Sequence, residues 1–527
     1  MNRPVVSELK FAAAPHLVFG RLPRLAAIDI GTNSIRCIVV EVEPDDSIRV
    51  VGDEKAQVRL GEGLYASGKI SREAWARAEE ALQRMVMIAQ GLGVEVVEAV
   101  ATSAVRQAKN GDRFLREMQK LTGLEIQLIS GDEEARLAAL SARYNFDLDG
   151  SRYAVIDIGG GSVEVVTGIG SHLSEINSLA LGAVYLTETF QGSDPLSDQQ
   201  FKQLRKYVRR ELKRKAPGGG LPVSAVIGSG GTLTNIGSMV MAMRGEKFDS
   251  VHRYEVLRSE VVHLLAMLRR KDLKGREATP GLDPARADII VAGITVTNEL
   301  LRHFGCNLLR INHKGIREGL ILASLEKHGL IATRFPQVDW RASVEQFARS
   351  CHFDEEHSRH VWMLAQGIFN ELAGEFGLGE TEARLLEAAA LLHDVGYFIN
   401  YDQHHKHSYH LIRHANLFGF TPREQELVAN IARYHRKAPP KKKHENFARL
   451  LPPDQELVRK LGGILRLADG LDRCRTGRVR KIRCQLNQGR LEIQLLGDGD
   501  LSVELYGGQS KGDLFEAAFE RELSVLA

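Results

Sequence analysis

Residues 153–168 read Y-A-V-I-D-I-G-G-G-S-V-E-V-V-T-G, an apolar run that leads through one acid, Asp157, into three consecutive glycines and a valine-rich return. This pattern predicts a β-hairpin with a glycine-rich bend. Glycine tolerates φ > 0 and lets backbone N–H groups approach a ligand, and a nest of such groups binds anions, phosphate above all. Because Asp157 repels phosphate, its position predicts a divalent cation between the two. The stretch by itself also fits an ordinary glycine-rich hairpin.

A second copy of the pattern lies upstream. Residues 26–40 read A-A-I-D-I-G-T-N-S-I-R-C-I-V-V. Asp29 precedes Asp157 by 157 − 29 = 128 residues, and Gly31 precedes Gly159 by 159 − 31 = 128 residues. A spacing of this size is that of a domain rather than of a solenoid repeat. The sequence therefore predicts two similar domains whose phosphate-seeking turns border one cleft that holds a phosphorylated ligand.

Length and composition indicate the class of protein to which these domains belong. A chain of 527 residues with 43% hydrophobic and 26% charged residues is expected to form several soluble domains. No uninterrupted apolar stretch is long enough for a membrane span, and the first residues lack the apolar core of a signal peptide. Five scattered cysteines predict reduced thiols in a cytoplasm. A net charge of +3 gives no reason to expect nucleic acid as a partner.

The predicted strand 94–101 of the first domain runs into A-T-S-A-V-R-Q-A-K-N. Thr102, Ser103 and Arg106 follow its end, where open α/β sheets place ligand-contacting residues. Arg106 is the best single candidate for a forked contact to phosphate oxygens. A surface arginine on a helix is the alternative interpretation.

The next strand, 124–129, leads into S-G-D-E-E-A-R-L. Ser130 and Glu133 form a capping box, so Glu133 has a structural role at the start of a helix. Glu134 has no such role, and its place at a helix N-terminus beside the cleft suits a group that takes a proton from water. The alternative is a plain first-turn acid stabilised by the helix dipole.

A third glycine-rich turn, G-S-G-G-T at 228–232, joins a strand to a helix and follows the same phosphate-binding logic. Before it, the predicted helix 198–215 carries eight lysines and arginines. Such a helix is usually a solvated basic face, although here it also suits a path for a polyanion.

From about residue 330 strand patterns fade, helical patterns take over and histidine becomes frequent. His357, His393, Asp394 and Asp469 each lie on a predicted helical segment. Together they form a mixed nitrogen and oxygen ligand set suited to Mg, Mn or Fe. Hydrogen-bonded polar groups in a helical core are the alternative. His404 and His435 belong to the same histidine-rich region without an assigned role.

The tail alternates apolar and polar residues at 481–486, 491–496 and 501–506. This pattern predicts a small antiparallel sheet, closed by a helix from about residue 514. The expected layout is an extension (1–20), domain I (21–145), domain II (146–330), a helical domain (335–480) and the small C-terminal β/α domain (481–527).

The motifs D-I-G-T-N-S, A-T-S-A-V-R-Q-A, I-S-G-D-E-E-A-R, I-D-I-G-G-G-S-V-E and G-S-G-G-T occur in this order over about residues 24–325. In this the chain resembles the exopolyphosphatase / guanosine pentaphosphate phosphohydrolase family, and residues 335–480 resemble the HD-type helical domain of longer members. The resemblance implies an α/β fold of two duplicated ribonuclease-H-like, actin-like domains followed by an all-α HD-like domain. It also implies Mg²⁺ dependence, a homodimer and processive removal of terminal phosphate from inorganic polyphosphate.

By the same resemblance, Glu134 is the catalytic base, and Asp157 with Glu164 is the acidic pair that holds metal or water. Asp29, the counterpart of Asp157, joins the expected Mg²⁺ ligands. The expected phosphate contacts are Arg106 and the turn residues Gly31, Thr32, Asn33, Ser34, Gly159, Gly160, Gly161, Ser162, Gly228, Ser229, Gly230, Gly231 and Thr232. His357, His393, Asp394 and Asp469 match the HD pattern, so a second divalent metal centre is a further expectation.

Four other functions stay open at this stage. The chain also suits a guanosine pentaphosphate 5′-phosphohydrolase, a sensor that binds guanosine tetra- or pentaphosphate without turnover, or a kinase of the same fold. The fourth alternative is that the HD-type centre of the helical domain is the principal active site and cleaves a nucleotide phosphoester.

Overall fold

The computed structural model describes residues 22–43, 48–148, 150, 152–170, 172–216, 222–330, 339–487 and 489–527. The predicted N-terminal extension lies outside these residues. The described chain forms two compact units, residues 22–245 with 251–330 and residues 246–250 with 339–527. None of its described helices has both the length and the apolarity that a membrane crossing requires.

The first unit contains two mixed sheets with the same topology. The strands of the first sheet are β1 (Arg24–Ile30), β2 (Ile35–Val42), β3 (Ile48–Ala56), β4 (Val96–Ala101) and β5 (Ile126–Leu128). Those of the second are β6 (Arg152–Ile158), β7 (Val163–Ile169), β8 (His172–Leu179), β9 (Ala225–Ser229), β10 (Glu255–Leu257) and β11 (Leu308–Ile311). The first has the order β3-β2-β1-β4-β5, and the second repeats it as β8-β7-β6-β9-β11 with β10 added at the edge. The duplicated motif is thus a duplicated sheet.

Helices surround these sheets. They are α1 (Leu64–Ser67), α2 (Arg72–Gly91), α3 (Ser103–Gln107), α4 (Gly111–Thr122), α5 (Gly131–Asn145), α6 (Ala183–Phe190), α7 (Asp198–Lys215), α8 (Gly231–Met243), α9 (Arg258–Leu268), α10 (Leu273–Glu277), α11 (Ile290–His303) and α12 (Ile316–Lys327), with a 3-10 turn at Pro284–Arg286. The predicted capping box opens α5, since Ser130 Oγ accepts from the Glu133 amide and Glu133 accepts from the Ser130 amide.

Helices α5 and α12 exchange sheets. Helix α5 lies on the second sheet, and helix α12, which follows the second sheet in sequence, lies on the first. The apolar face of α5, which includes Ala135 and Ala142, lies against the second sheet. Leu320 and Leu325 of α12 lie against the first. The expected boundary at 145/146 assigned them the other way round. The two helices touch where a Cβ on Gly319 would lie 2.0 Å from the carbonyl oxygen of Leu137, so only glycine permits this approach.

The second unit is mostly helical. Its helices are α13 (Trp340–Ser350), α14 (Glu355–Phe376), α15 (Glu380–Leu392), α16 (His404–His414), α17 (Pro422–Arg433), α18 (Glu445–Ala448), α19 (Pro452–Leu471), α20 (Ser502–Ser510) and α21 (Asp513–Phe519), with a 3-10 turn at Val395–Phe398. Its strands are β12 (Val479–Asn487), β13 (Arg490–Gly497) and β14 (Glu522–Leu526). Ile493, Phe515 and Leu465 share one apolar core, so this sheet and the helices form a common interior.

The third predicted strand of the tail, 501–506, is wrong, because these residues begin helix α20. Gly507 and Gly508 are buried in α20, and a Cβ on Gly507 would lie 2.2 Å from the carbonyl oxygen of Gly470 in α19. The close packing of α20 against α19 thus favours a helix, although apolar and polar residues alternate in this segment. The third strand is β14, which pairs with β13 in parallel, so the sheet is mixed rather than antiparallel.

Candidate active site

The two hairpin turns have the same backbone geometry and lie together. The Gly31 amide donates to the Ser34 carbonyl at 3.1 Å, and the Gly159 amide donates to the Ser162 carbonyl at 3.1 Å. A Cβ on Gly160 would lie 2.9 Å from the Thr32 side chain, so the turns are in contact. They border a cleft of about 130 Å³ within the first unit.

Most of the predicted site residues line this cleft. These are Asp29, Gly31, Thr32, Asn33, Ser34, Glu134, Asp157, Gly159, Gly160, Gly161, Ser162, Glu164, Gly230 and Gly231. Arg106, Gly228, Ser229 and Thr232 are not on its walls. Ser229 contacts a lining residue instead, since its hydroxyl donates to Asp157 Oδ2. Thr232 is buried beside Gly293.

Five acidic side chains line the cleft: Asp29, Glu134, Asp157, Glu164 and Glu318. Burial is the main influence on the pKa of the acids described next. It raises the pKa of Asp29 to about 6, against the opposing charges of Arg36 and Arg317. Burial and the charge of Asp157 raise the pKa of Glu164 to about 7, and burial raises the pKa of Asp157. Buried carboxylates that repel one another are stabilised by a cation.

Glu134 stands at the first turn of α5 with almost no exposed surface. Burial and the charge of Glu164 raise its pKa well above the ordinary value, whereas Arg106 lowers it. Arg106 Nη1 donates to Glu134 Oε1 at 2.6 Å and to the carbonyl oxygen of Ile129 at 2.6 Å. Arg106 therefore positions Glu134 instead of forming the wall of the cleft, where the sequence had placed it.

The carboxylates fit a hard divalent cation. Asp29 Oδ1 is buried and has no hydrogen-bond partner among the described residues. Mg²⁺ prefers oxygen ligands and uses one or two carboxylates together with substrate phosphates. Asp29, Asp157 and Glu164 offer such oxygens in the lining of the cleft.

Three arginines of the cleft were missed as site residues. Arg36, Arg286 and Arg317 all line it. Burial and the charge of Arg317 lower the pKa of Arg36, and burial lowers the pKa of Arg286 to about 10. Crowded cations of this kind favour an anion between them.

The sequence repeat carries a signal for Arg36. In the antiparallel register it stands opposite Asp29, as Glu164 stands opposite Asp157. The 128-residue repeat thus places a base in one hairpin where the other has an acid. Arg286 ends the 3-10 turn Pro284–Arg286, whose sequence carries no comparable pattern.

The basic helix α7 is partly neutralised by its own neighbours. Arg205 and Arg209 donate to Glu299, which is 2% exposed, at 3.0 and 2.7 Å. Arg214 pairs with Glu211 at 2.5 Å. These arginines anchor helices, so the path for a polyanion stays a prediction.

In the second unit, the four candidate metal ligands come together. His357 Nε2 lies 3.5 Å from Asp469 Oδ1, and His393 Nε2 lies 3.6 Å from Asp394 Oδ2. His357, His393 and Asp394 are buried, and the side chain of Asp469 is 13% exposed. Their spacing suits a common ion.

Comparison with known proteins gives two matches to family models and several to solved structures. The model of the Ppx/GppA phosphatase family matches residues 38–328. The model of domain III of Ppx/GppA phosphatases matches residues 341–501, which include most of the stretch predicted as HD-type. The HD character of that stretch stays a prediction.

Two crystal structures illustrate the likeness. The Aquifex aeolicus member of the Ppx/GppA protein family is 27% identical over 58% of this chain and 98% of its own, with a TM-score of 0.51. An exopolyphosphatase from Cytophaga hutchinsonii is 25% identical over 58% of this chain and 98% of its own, with a TM-score of 0.54.

Proposed function

Since the chain belongs to the Ppx/GppA phosphatase family, we propose that it is a Mg²⁺-dependent exopolyphosphatase that hydrolyses the terminal phosphate of inorganic polyphosphate. One observation carries the proposal. The duplicated turns, five carboxylates and three arginines all line a single cleft. Such a site offers backbone N–H groups and guanidinium groups to phosphate oxygens, and carboxylates to a cation.

In the proposed reaction, the end of the chain of phosphates lies between the turns around Gly31 and Gly159. Glu134 orients a water and takes its proton as the water oxygen attacks the terminal phosphorus. The bond to the bridging oxygen breaks, and polyphosphate shortened by one unit leaves. Catalysis then rests on positioning and on charge stabilisation.

Arg106 has a supporting role in this scheme. Its bond to Glu134 Oε1 holds the carboxylate in place, and its charge favours the ionised form that a base needs. Asp29, Asp157 and Glu164 would hold Mg²⁺. When bound, the ion supplies positive charge that offsets the carboxylates and polarises the phosphate.

The composition of the cleft favours a substrate made of phosphate alone. Its described lining includes no Phe, Tyr or Trp, and its apolar side chains are Ile158, Ile289 and Ile316. A nucleobase is usually held by an aromatic or apolar platform. Polyphosphate needs only the charges and N–H groups that this lining provides.

The test is phosphate release from long polyphosphate and from guanosine pentaphosphate, measured side by side with Mg²⁺ and with EDTA. We expect Mg²⁺-dependent release from polyphosphate that Glu134→Gln abolishes and that His393→Gln, in the other unit, leaves intact. Release from guanosine pentaphosphate alone, tight binding without turnover, or label transferred to a small acceptor would each overturn the proposal. Loss of polyphosphate hydrolysis in His393→Gln would instead place the reaction in the second unit.

A further inference from the structure

The second unit holds a second group of potential ligands beside the one recognised in the sequence. Asp394, His404 and His435 have ligand atoms close enough to hold one ion, and so do His357, His393 and Asp394. Asp394 belongs to both groups. We propose that this unit carries a dinuclear metal centre, bridged by Asp394, that binds the phosphate group of a small ligand.

The two oxygens of Asp394 face different groups. Oδ2 lies 3.9 Å from His357 Nε2 and 3.6 Å from His393 Nε2. Oδ1 lies 3.2 Å from His404 Nε2 and 3.5 Å from His435 Nε2. Ligand atoms at ~2.1 Å from one ion lie roughly 3.0–3.4 Å apart, so small shifts would close both sites. One carboxylate would then bridge two ions.

The first site is completed by Asp469, whose Oδ1 lies 3.5 Å from His357 Nε2 and 4.0 Å from His393 Nε2. Both imidazole nitrogens are buried and have no hydrogen-bond partner among the described residues. A buried polar atom without a partner costs free energy, and metal coordination removes that cost.

All four imidazoles are held in the orientation that metal ligands adopt. Each has its Nδ1 against an oxygen acceptor, which leaves Nε2 as the bare nitrogen that points into the cluster. The acceptors are Asp472 Oδ2 for His357 at 2.7 Å, and the carbonyls of Ala390 for His393 at 2.7 Å, Tyr401 for His404 at 3.1 Å and Ala432 for His435 at 2.7 Å. Metal-bound histidines are fixed by such second contacts.

This orientation has a consequence at the second site. His404 Nε2 and His435 Nε2 lie 3.3 Å apart. With a proton on Nδ1 of each ring, two lone pairs and an oxygen of Asp394 face one another at this point, and the only cationic group that the structure places beside His404 Nε2 among the described residues is Arg436, whose Nη1 lies 3.4 Å away. A cation between them turns that repulsion into coordination. The imidazoles of this set suit Fe or Zn, and its carboxylates also admit Mn.

Cationic side chains border the cavity above this cluster. The cavity measures about 300 Å³, and its lining includes Arg436, Arg473, Arg475 and Lys511. At present Arg475 contacts Asp394 and Lys511 contacts Asp469. Bound cations would take over the neutralisation of both carboxylates, which frees these two side chains for an anion. Two ions with a cationic rim suit a phosphate group.

Metal stoichiometry tests the centre in the full-length chain. We measure tightly bound Mn²⁺ per chain after gel filtration, taking differences from wild type so that any ion in the first unit cancels. His404→Gln and His357→Gln should each lose about one equivalent, and Asp394→Asn about two. His410→Gln, an exposed histidine on the same helix, should lose none. Circular dichroism of each variant verifies folding.

Electron paramagnetic resonance, measured without and with inorganic phosphate, completes the test. Two Mn²⁺ ions sharing a carboxylate should give an exchange-coupled electron paramagnetic resonance spectrum, which His404→Gln converts into that of an isolated ion. Inorganic phosphate should alter the coupled spectrum, and Arg436→Gln should raise the concentration required about tenfold. Equal metal content in all variants, or an uncoupled spectrum in wild type, overturns the dinuclear centre. A coupled spectrum indifferent to phosphate overturns the ligand class.

Discussion

Arg106 Nη1 lies 2.6 Å from Glu134 Oε1 and spans the end of the first sheet and the start of helix α5. Helix α5 packs on the second sheet. The contact therefore joins Glu134, carried by a helix of the second sheet, to Arg106, which follows the first sheet. The pKa of Glu134 reflects two opposed effects, since burial and Glu164 raise it and Arg106 lowers it. The first two predictions separate the role of the acid from that of its partner.

Glu134→Gln should reduce phosphate release from polyphosphate by about 10²–10⁴-fold, because the amide keeps the shape of the side chain but accepts no proton. Binding of polyphosphate, followed by equilibrium dialysis, should persist. The matched control is Glu133→Gln at the adjacent position. Glutamine also completes a capping box, so this variant should retain normal turnover. Equal losses in the two variants would argue against a base at position 134.

Arg106→Gln should lower kcat about tenfold at neutral pH and leave KM nearly unchanged. Without the arginine the pKa of Glu134 rises, so a smaller fraction is ionised at a given pH. The acid limb of the pH–rate profile should therefore move to higher pH, and activity should recover in alkaline buffer. The exposed Arg116 provides a charge-matched control, Arg116→Gln. A raised KM with an unmoved pH profile would show instead that Arg106 contacts phosphate directly.

Local patterns in the sequence predicted the parts of this site that local chemistry determines. The alternation around Asp29 and Asp157 specifies hairpins, the glycines after each acid specify tight turns, and Ser130 with Glu133 specifies the start of a helix. The 128-residue repeat extends these elements into two like sheets. Each of these signals lies within a few residues of the feature that it predicts.

Packing partners could not be predicted in this way. The periodicity of α5 and α12 identifies an apolar face on each helix but not the sheet that the face covers. The same holds for His404 and His435, which are distant in sequence from His357 and join its cluster only in the folded unit. The alternation at 501–506 predicts a strand, but the segment begins a helix because Gly507 allows close packing against another helix. The alternation of residues does not reveal that contact.

Gly319→Ala should destabilise the first unit by about 1–3 kcal/mol, because the added methyl group meets the Leu137 carbonyl oxygen at 2.0 Å. The backbone of α5 or α12 must then move, and Glu134 lies one turn from Leu137. We therefore expect a reduced kcat together with a lower denaturation midpoint in urea.

The control for this prediction is Gly374→Ala in α14, where a Cβ would meet nothing within 4 Å. Alanine has the higher helix propensity, so this variant should be more stable by about 0.5–1 kcal/mol, with unchanged phosphate release. Similar destabilisation in both variants would indicate that the Gly319 contact is not specific.

The contact of Glu299 with helix α7 should appear in the pH dependence of stability. Burial raises the pKa of Glu299, but hydrogen bonds from Arg209 and Arg205 outweigh it, so the pKa is lowered overall. A carboxyl group with a lowered folded-state pKa stabilises the fold above its ordinary pKa of 4.5, and this stabilisation is lost as the pH falls through the folded-state value. Glu299→Gln should therefore cost about 1 kcal/mol at neutral pH, a figure reduced because both arginines are partly exposed.

Urea denaturation of wild type and Glu299→Gln between pH 3 and 7 measures the effect. The difference between their midpoints should be constant at neutral pH and shrink below pH 4.5 as Glu299 becomes protonated in the wild type. Glu80→Gln, which changes an exposed acid, should follow the wild-type curve. If the difference persists unchanged at pH 3, the two arginines stabilise α7 by packing rather than through the charge of Glu299, and they would remain available to a polyanion.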